Sequence, residues 1–233
     1  MARPIGTLSE KSLHAALKAY YARPGDALEC DLGGYVIDVV RRSDDARPPL
    51  CVEIQSRRLA PMKPKLRALL DQYPIRIVYP IAVERSIVRL TPDGEIVSRR
   101  KSPKRGTVYE VFSELVSFPK LTLHPNFSLE IALIREDEYW LDDGRGSWRR
   151  KHWSIHDRVL LEVVESLAFA SPADYAALLP ADLPTVFDTG TLAQAIHQPR
   201  RIGQQMAYCL REMGQLQPMG MQGKARLYAR SIA

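Results

Sequence analysis

The chain has 233 residues, 45% of them apolar and 26% charged, and a formal net charge of +6. That is enough apolar surface for a real core, and it excludes an intrinsically disordered chain. No stretch approaches the eighteen or so uncharged apolar residues of a membrane helix, the N-terminus lacks the apolar run of a secretory signal, and three scattered cysteines (Cys30, Cys51 and Cys209) suit a reducing cytoplasm better than a disulfide framework or zinc site.

In chain order, Thr7-Leu-Ser-Glu10 has the spacing of a capping box and opens a helix that Arg23-Pro24-Gly25 ends. Ala27–Leu32 and Tyr35–Arg41 flank Gly33-Gly34 and predict a tight hairpin. Leu50–Gln55 alternates as a third strand. After Pro61–Pro64 comes a helix with Leu66, Leu69 and Leu70 on its apolar face, then a continuous apolar strand over Ile75–Ile81. Strand, helix, strand implies a parallel pair with a right-handed crossover. A hairpin is expected around Pro92-Asp93-Gly94, joining Ile87–Thr91 to Glu95–Ser98. Val108–Val116 reads as helical and Phe127–Arg135 as a strand. The polar Asp142–Trp153 stretch is a connector. Beyond it, Ile155–Phe169, Pro172–Leu179, Gly190–Ile196 and Pro199–Met213 read as helices, followed by a hairpin around Gly220-Met-Gln-Gly223.

Charge is unevenly spread. Residues 155–198 carry a net −5 and residues 199–233 a net +5, with further basic clusters at Arg99–Arg105 and Arg149-Arg150-Lys151. An acidic block beside a basic one suits a small domain with one face toward nucleic acid; solvated surface is the bland alternative.

Two carboxylates stand out. Asp38 interrupts the apolar Val36–Val40 run, and Glu53 lies on the neighbouring strand. A lone carboxylate in such a strand is costly unless exposed or paired. Two that share a space raise each other's pKa, and a hard divalent cation is one way to keep both ionised. The plainer readings are a capping role for Glu10, a structural Asp38 paired with an arginine, and ordinary polar-face positions for Glu53 and Gln55.

The order of a helix bearing Glu10, a strand bearing Asp38 after a hairpin, and then Glu53-Ile54-Gln55 before helix and strand resembles the PD-(D/E)xK phosphodiesterase superfamily over residues 5–85. The resemblance implies an α/β fold, with a mixed-sheet restriction-endonuclease-like core, and Mg²⁺- or Mn²⁺-dependent hydrolysis of DNA phosphodiesters in repair, recombination or defence. Asp38 and Glu53 would hold the metal, with the Ile54 carbonyl and Glu10 supporting it, and Gln55 would stand where the family has lysine. A neutral amide supplies no positive charge, so a cation from elsewhere (Lys63, Lys65 or Lys18) takes over, or the protein is an inactive nuclease-fold DNA-binding or regulatory protein. Cutting two strands often uses two such sites, which makes a homodimer compatible with this reading.

In the tail, Ile202, Met206, Cys209, Leu210 and Met213 form one helical stripe, and Arg200, Arg201, Gln204, Gln205, Tyr208 and Arg211 lie off it. With the Gly190–Ile196 helix before it and a hairpin carrying Lys224, Arg226 and Arg230 after it, the segment resembles a winged helix-turn-helix. Such a module reads DNA with its exposed helix face and touches phosphates with its wing. The expected organisation is a nuclease-like domain over 1–100, an extension over 101–153, and a mainly helical winged-helix-like domain over 154–233. The five histidines show no metal-ligand spacing.

Overall fold

The computed structural model describes residues 11–42, 47–148 and 152–231. The Thr7–Glu10 capping box and the Arg149-Arg150-Lys151 cluster lie outside the described residues.

Helix α1 (Ser12–Tyr21) buries Leu13 and Leu17, and its chain exit is extended at Ala22. Strands β1 (Ala27–Leu32) and β2 (Tyr35–Arg41) form the expected hairpin, with Leu32 opposite Tyr35. Gly33 and Gly34 both adopt positive φ, at 60° and 80°, which is why a glycine pair sits there. Strand β3 (Leu50–Ile54) runs antiparallel to β2, and α2 (Lys63–Leu69) carries the chain across to β4 (Ile75–Leu90), which is parallel to β3.

β4 continues well past the expected Ile81, merging two predicted strands into one of 16 residues. Its first part pairs with β3 up to Val78, and its last part pairs with β5 (Ile96–Lys101) from Ser86. Pro80 lies between these two partners, where the missing amide hydrogen costs no ladder bond on that edge. A 3-10 turn and the short helix α3 (Phe112–Leu115) fill the expected helical segment before β6 (Phe127–Leu141), which lies parallel to β4 along its length.

Ile155–Phe169 is not a helix. It forms β7 (Ser154–Phe169), antiparallel to β6 and the outer strand of a seven-stranded mixed sheet ordered β1-β2-β3-β4-β6-β7, with β5 paired to β4. Register shifts at three points of the β6–β7 ladder interrupt strict alternation. The apolar residues therefore lose the period of two that marks a strand. The C-terminal part is accordingly less helical than expected, because its first segment belongs to the large sheet.

The remaining chain forms α4 (Pro172–Ala176), β8 (Phe187–Asp188), α5 (Thr189–Ala195), α6 (Arg200–Glu212), β9 (Leu216–Gln222) and β10 (Ala225–Arg230). The last strands make a small antiparallel sheet ordered β8-β10-β9. Ser171 and Asp174 form a capping box at α4, and Asp188 caps α5 through the Thr191 N–H at 2.8 Å.

Two cores flank the large sheet. Leu13 and Leu17 of α1 pack with Val39, Val52, Ile54 and Val78 on one face. Leu66 and Leu69 of α2 pack on the other with Ile37, Cys51, Ile75 and Ile77, in a larger cluster that also takes in Phe112, Tyr175, Leu192, Met206 and Leu210. The C-terminal helices therefore share a core with the α2 face of the sheet.

Candidate active site and nucleic-acid interface

The β2–β3 ladder pairs Arg41 with Leu50, Val40 with Cys51 and Val39 with Val52, and then stops. Asp38 and Glu53 are the next residues on each strand, so the two acids that the sequence singled out stand together where the strands part. Each turns to a different helix. The Asp38 carboxylate accepts the Ile54 N–H at 2.8 Å and lies 3.3 Å from Nε2 of His14 on α1. The Glu53 carboxylate is almost buried and pairs with Nζ of Lys65 on α2, which also donates to the Val36 carbonyl. Since α1 and α2 cover opposite faces, the fork is bracketed by a histidine on one side and an ammonium on the other.

The electrostatics separate the two acids. Burial would raise the Asp38 carboxyl, but the His14 contact, the Ile54 N–H and the nearby Lys65 charge outweigh it and hold Asp38 below the usual carboxylate range. Burial dominates at Glu53 and, helped by the negative charge of Asp38, pushes its carboxyl up in spite of Lys65.

The expected substitutes for the missing motif lysine sort themselves by contact. Lys65 reaches Glu53; Lys63 donates to the Ser117 carbonyl at 3.3 Å; Lys18 pairs with Glu29 at 2.6 Å. Gln55 does not join the acids: its amide donates to the Arg58 carbonyl at 2.7 Å and closes the loop after β3. Glu10 lies outside the described residues. His14 was one of the histidines without ligand spacing, and only packing of α1 on the sheet brings it to Asp38. Among the described residues no three His, Cys, Asp or Glu side chains gather as a metal-binding group.

A family model described as "Domain of unknown function (DUF8091)" matches residues 11–170. The chain belongs to the DUF8091 family. An uncharacterized protein of Treponema pallidum (strain Nichols) is 33% identical over 227 residues, spanning 96% of this chain and 86% of the relative. No solved structure matches. The DUF8091 match ends one residue after β7, so it covers the described part of the large sheet together with α1 and α2, and includes the fork.

Beyond the DUF8091 segment, α6 buries Met206, Ala207, Cys209 and Leu210 and exposes Arg200, Arg201, Gln204 and Tyr208. Gln205 and Arg211 are half-buried: the Gln205 Oε1 is enclosed without a hydrogen-bond partner, and Arg211 pairs with Glu212 and lies over the Tyr208 ring. The outward face is therefore narrower than the sequence suggests. Lys224 and Arg226 are exposed on the β9–β10 hairpin, while Arg230 donates to the Leu179 and Pro180 carbonyls and ties the hairpin down. Helix α5 approaches α6 closely at Gly203, where a Cβ would meet the Thr189 carbonyl oxygen at 2.7 Å and the Ala193 Cβ at 2.9 Å.

Proposed function

We propose that this DUF8091 protein is a divalent-metal-dependent DNA phosphodiesterase of the PD-(D/E)xK type, carrying a winged-helix DNA-binding module. The observation that carries the reading is Lys65. The chain lacks the lysine expected two residues after Glu53, and α2 delivers an ammonium to the same carboxylate from outside the strand. Its own chemistry fits: positive charge is required beside a phosphate that gains negative charge, and Gln55 cannot supply it.

The donors at the fork suit a hard ion. Asp38, Glu53 and the Ile54 carbonyl all offer oxygen donors, and a divalent cation would offset the smaller part of the Glu53 shift, the part that comes from the Asp38 charge rather than from burial. Such an ion supplies Lewis acidity and an acidified water. The protein's residues would do the rest. Asp38 stays ionised through His14 and the Ile54 N–H and presents a fixed anionic donor. Glu53 would divide its charge between a bound cation and Lys65. Lys65 keeps a positive charge next to the reacting phosphate.

The C-terminal element order of helix, strand, helix, helix and hairpin, with sheet order β8-β10-β9, supports the winged-helix reading. Arg201, Gln204 and Tyr208 would face the major groove, and Lys224 and Arg226 would reach phosphates. Plasmid incubated with Mg²⁺ or Mn²⁺ tests the catalytic claim. Wild type is expected to cut, whereas Asp38→Asn loses cleavage and keeps low-salt DNA binding. Equal cleavage by wild type and Asp38→Asn overturns it. The second reading, a non-catalytic DNA-binding protein on the same scaffold, is favoured by the turn of Gln55 away from the acids. Salt-sensitive DNA binding without calorimetric uptake of Mg²⁺ would select it.

A further inference from the structure

β4 changes partner along one edge. β3 borders it up to Val78 and β5 from Ser86, and in between runs the loop that ends in Gly106, whose N–H bonds to the Ala82 carbonyl at 2.8 Å. In open α/β sheets such a break, beyond the carboxyl end of a parallel strand, is where ligands sit. A cavity of about 180 Å³ occupies it, walled by Ser56, Tyr79, Arg85, Lys104, Glu110 and Arg158. At about 30 Å³ per water, that is room for several waters or one tetrahedral anion.

The wall is preorganised. Glu136 of β6 is fully buried and uses both oxygens: Oε1 accepts from Nε of Arg85 at 2.6 Å, and Oε2 accepts from Nε and Nη2 of Arg158 at 3.0 and 2.8 Å. Arg158 Nη1 also donates to the Ser56 carbonyl at 3.1 Å, and Arg85 Nη1 lies 3.0 Å from Glu138. One buried acid thus fixes two like-charged guanidinium groups side by side at a cavity wall, both still partly exposed. Lys104 is largely exposed at the rim, only 3.8 Å from Glu110. Lys11 lies close enough to Arg57, Arg158 and Asp157 to feel their charges. Glu110, Glu114, Glu136, Glu138 and Asp157 face the same region as Lys11, Arg57, Arg85, Lys104 and Arg158, so the two signs balance and the notch selects an anion by its fixed guanidinium geometry rather than by net charge.

We infer that this notch binds a phosphate group, held by the guanidinium pair Arg85 and Arg158 with Lys104 closing over it. Two arginines fixed before binding lose little freedom on binding, and each keeps terminal N–H groups, beyond those spent on Glu136, Glu138 and the Ser56 carbonyl, that can donate to phosphate oxygens. Ser56 lies three residues beyond Glu53, so a nucleic-acid strand at the fork could also reach the notch. The inference does not require the fork to be catalytic.

The test uses full-length protein in EDTA, which removes any contribution from a bound metal. Inorganic phosphate is titrated by calorimetry, and a short fluorescein-labelled single-stranded oligonucleotide by anisotropy. Lys104→Glu is the main variant because its side chain is exposed and its one ion pair is long. It is expected to weaken binding about tenfold or more while its thermal midpoint stays near that of wild type. Arg158→Lys, which keeps charge but loses the fork, should weaken it as well, and circular dichroism checks that it folds. Loss in both titrations identifies a free or terminal phosphate as the ligand; loss with the oligonucleotide alone identifies an internal phosphodiester. Wild type that binds neither probe, or Lys104→Glu that binds both as tightly as wild type, overturns the inference. Absence of plasmid cleavage, by contrast, bears only on the fork.

Discussion

Replacing Lys65 by Met keeps most of the side-chain stem and removes the ammonium from Glu53. The Glu53 side chain is only 7% exposed, so an ionised carboxylate left there is a broken buried pair, which costs about 3–5 kcal/mol. The acid can avoid that cost by taking up a proton. With an unfolded-state pKa of about 4.3 and about 1.4 kcal/mol per pH unit, protonation costs roughly 1.6 kcal/mol at about pH 5.5 and about 5 kcal/mol at about pH 8. The loss is therefore capped at the lower pH and fully expressed at the higher one. A further ~1 kcal/mol, independent of pH, follows from the lost bond to the Val36 carbonyl. The sign follows from the direction of the shift. Glu53 is already raised in the folded state, so its contribution to stability is greatest below the unfolded pKa and is lost as pH rises through the folded value. The variant raises that value further and steepens the loss. Urea unfolding followed by circular dichroism at the two pH values measures the difference. The Glu53→Gln/Lys65→Met double variant should lose the pH-dependent part. An equal penalty for Lys65→Met at both pH values would refute the reasoning, because the buried partner would then not be an ionising acid.

Gly203→Ala places a methyl group 2.7 Å from the Thr189 carbonyl oxygen and should cost about 1–3 kcal/mol in urea unfolding, with weaker DNA binding as α5 and α6 separate. Asp188→Ala removes the α5 cap and is expected to cost about 1 kcal/mol by the same measurement. With Lys224 and Arg226 on phosphates, replacing each by Ala lowers the slope of log affinity against log salt by about 1, read from anisotropy titrations over a salt series. An unchanged slope in both variants would remove the hairpin from the interface.

Local chemistry is what made parts of this fold legible. The β1–β2 hairpin follows from a glycine pair that alone tolerates the turn, and β3–α2–β4 from an apolar strand, a helical stripe and a second apolar strand. The buried stripe of α6 follows from its spacing. Asp38 and Glu53 were visible because a carboxylate in an apolar strand is conspicuous. Glu136-Asp137-Glu138 in β6 carried the same signal, three acids in a row within a mainly apolar strand. All three are buried and paired with arginines that come from β4, β5 and β7.

The sequence by itself determined the turns, the crossover and the choice of the two acids, since each depends on residues close in the chain. Only tertiary structure decided that Lys65 rather than Lys63 or Lys18 meets Glu53, that His14 meets Asp38, and that 154–169 lies flat against β6. A side chain's partner depends on where a helix lands on the sheet. For a segment whose alternation is broken by bulges, the open edge of β6 outweighs local periodicity.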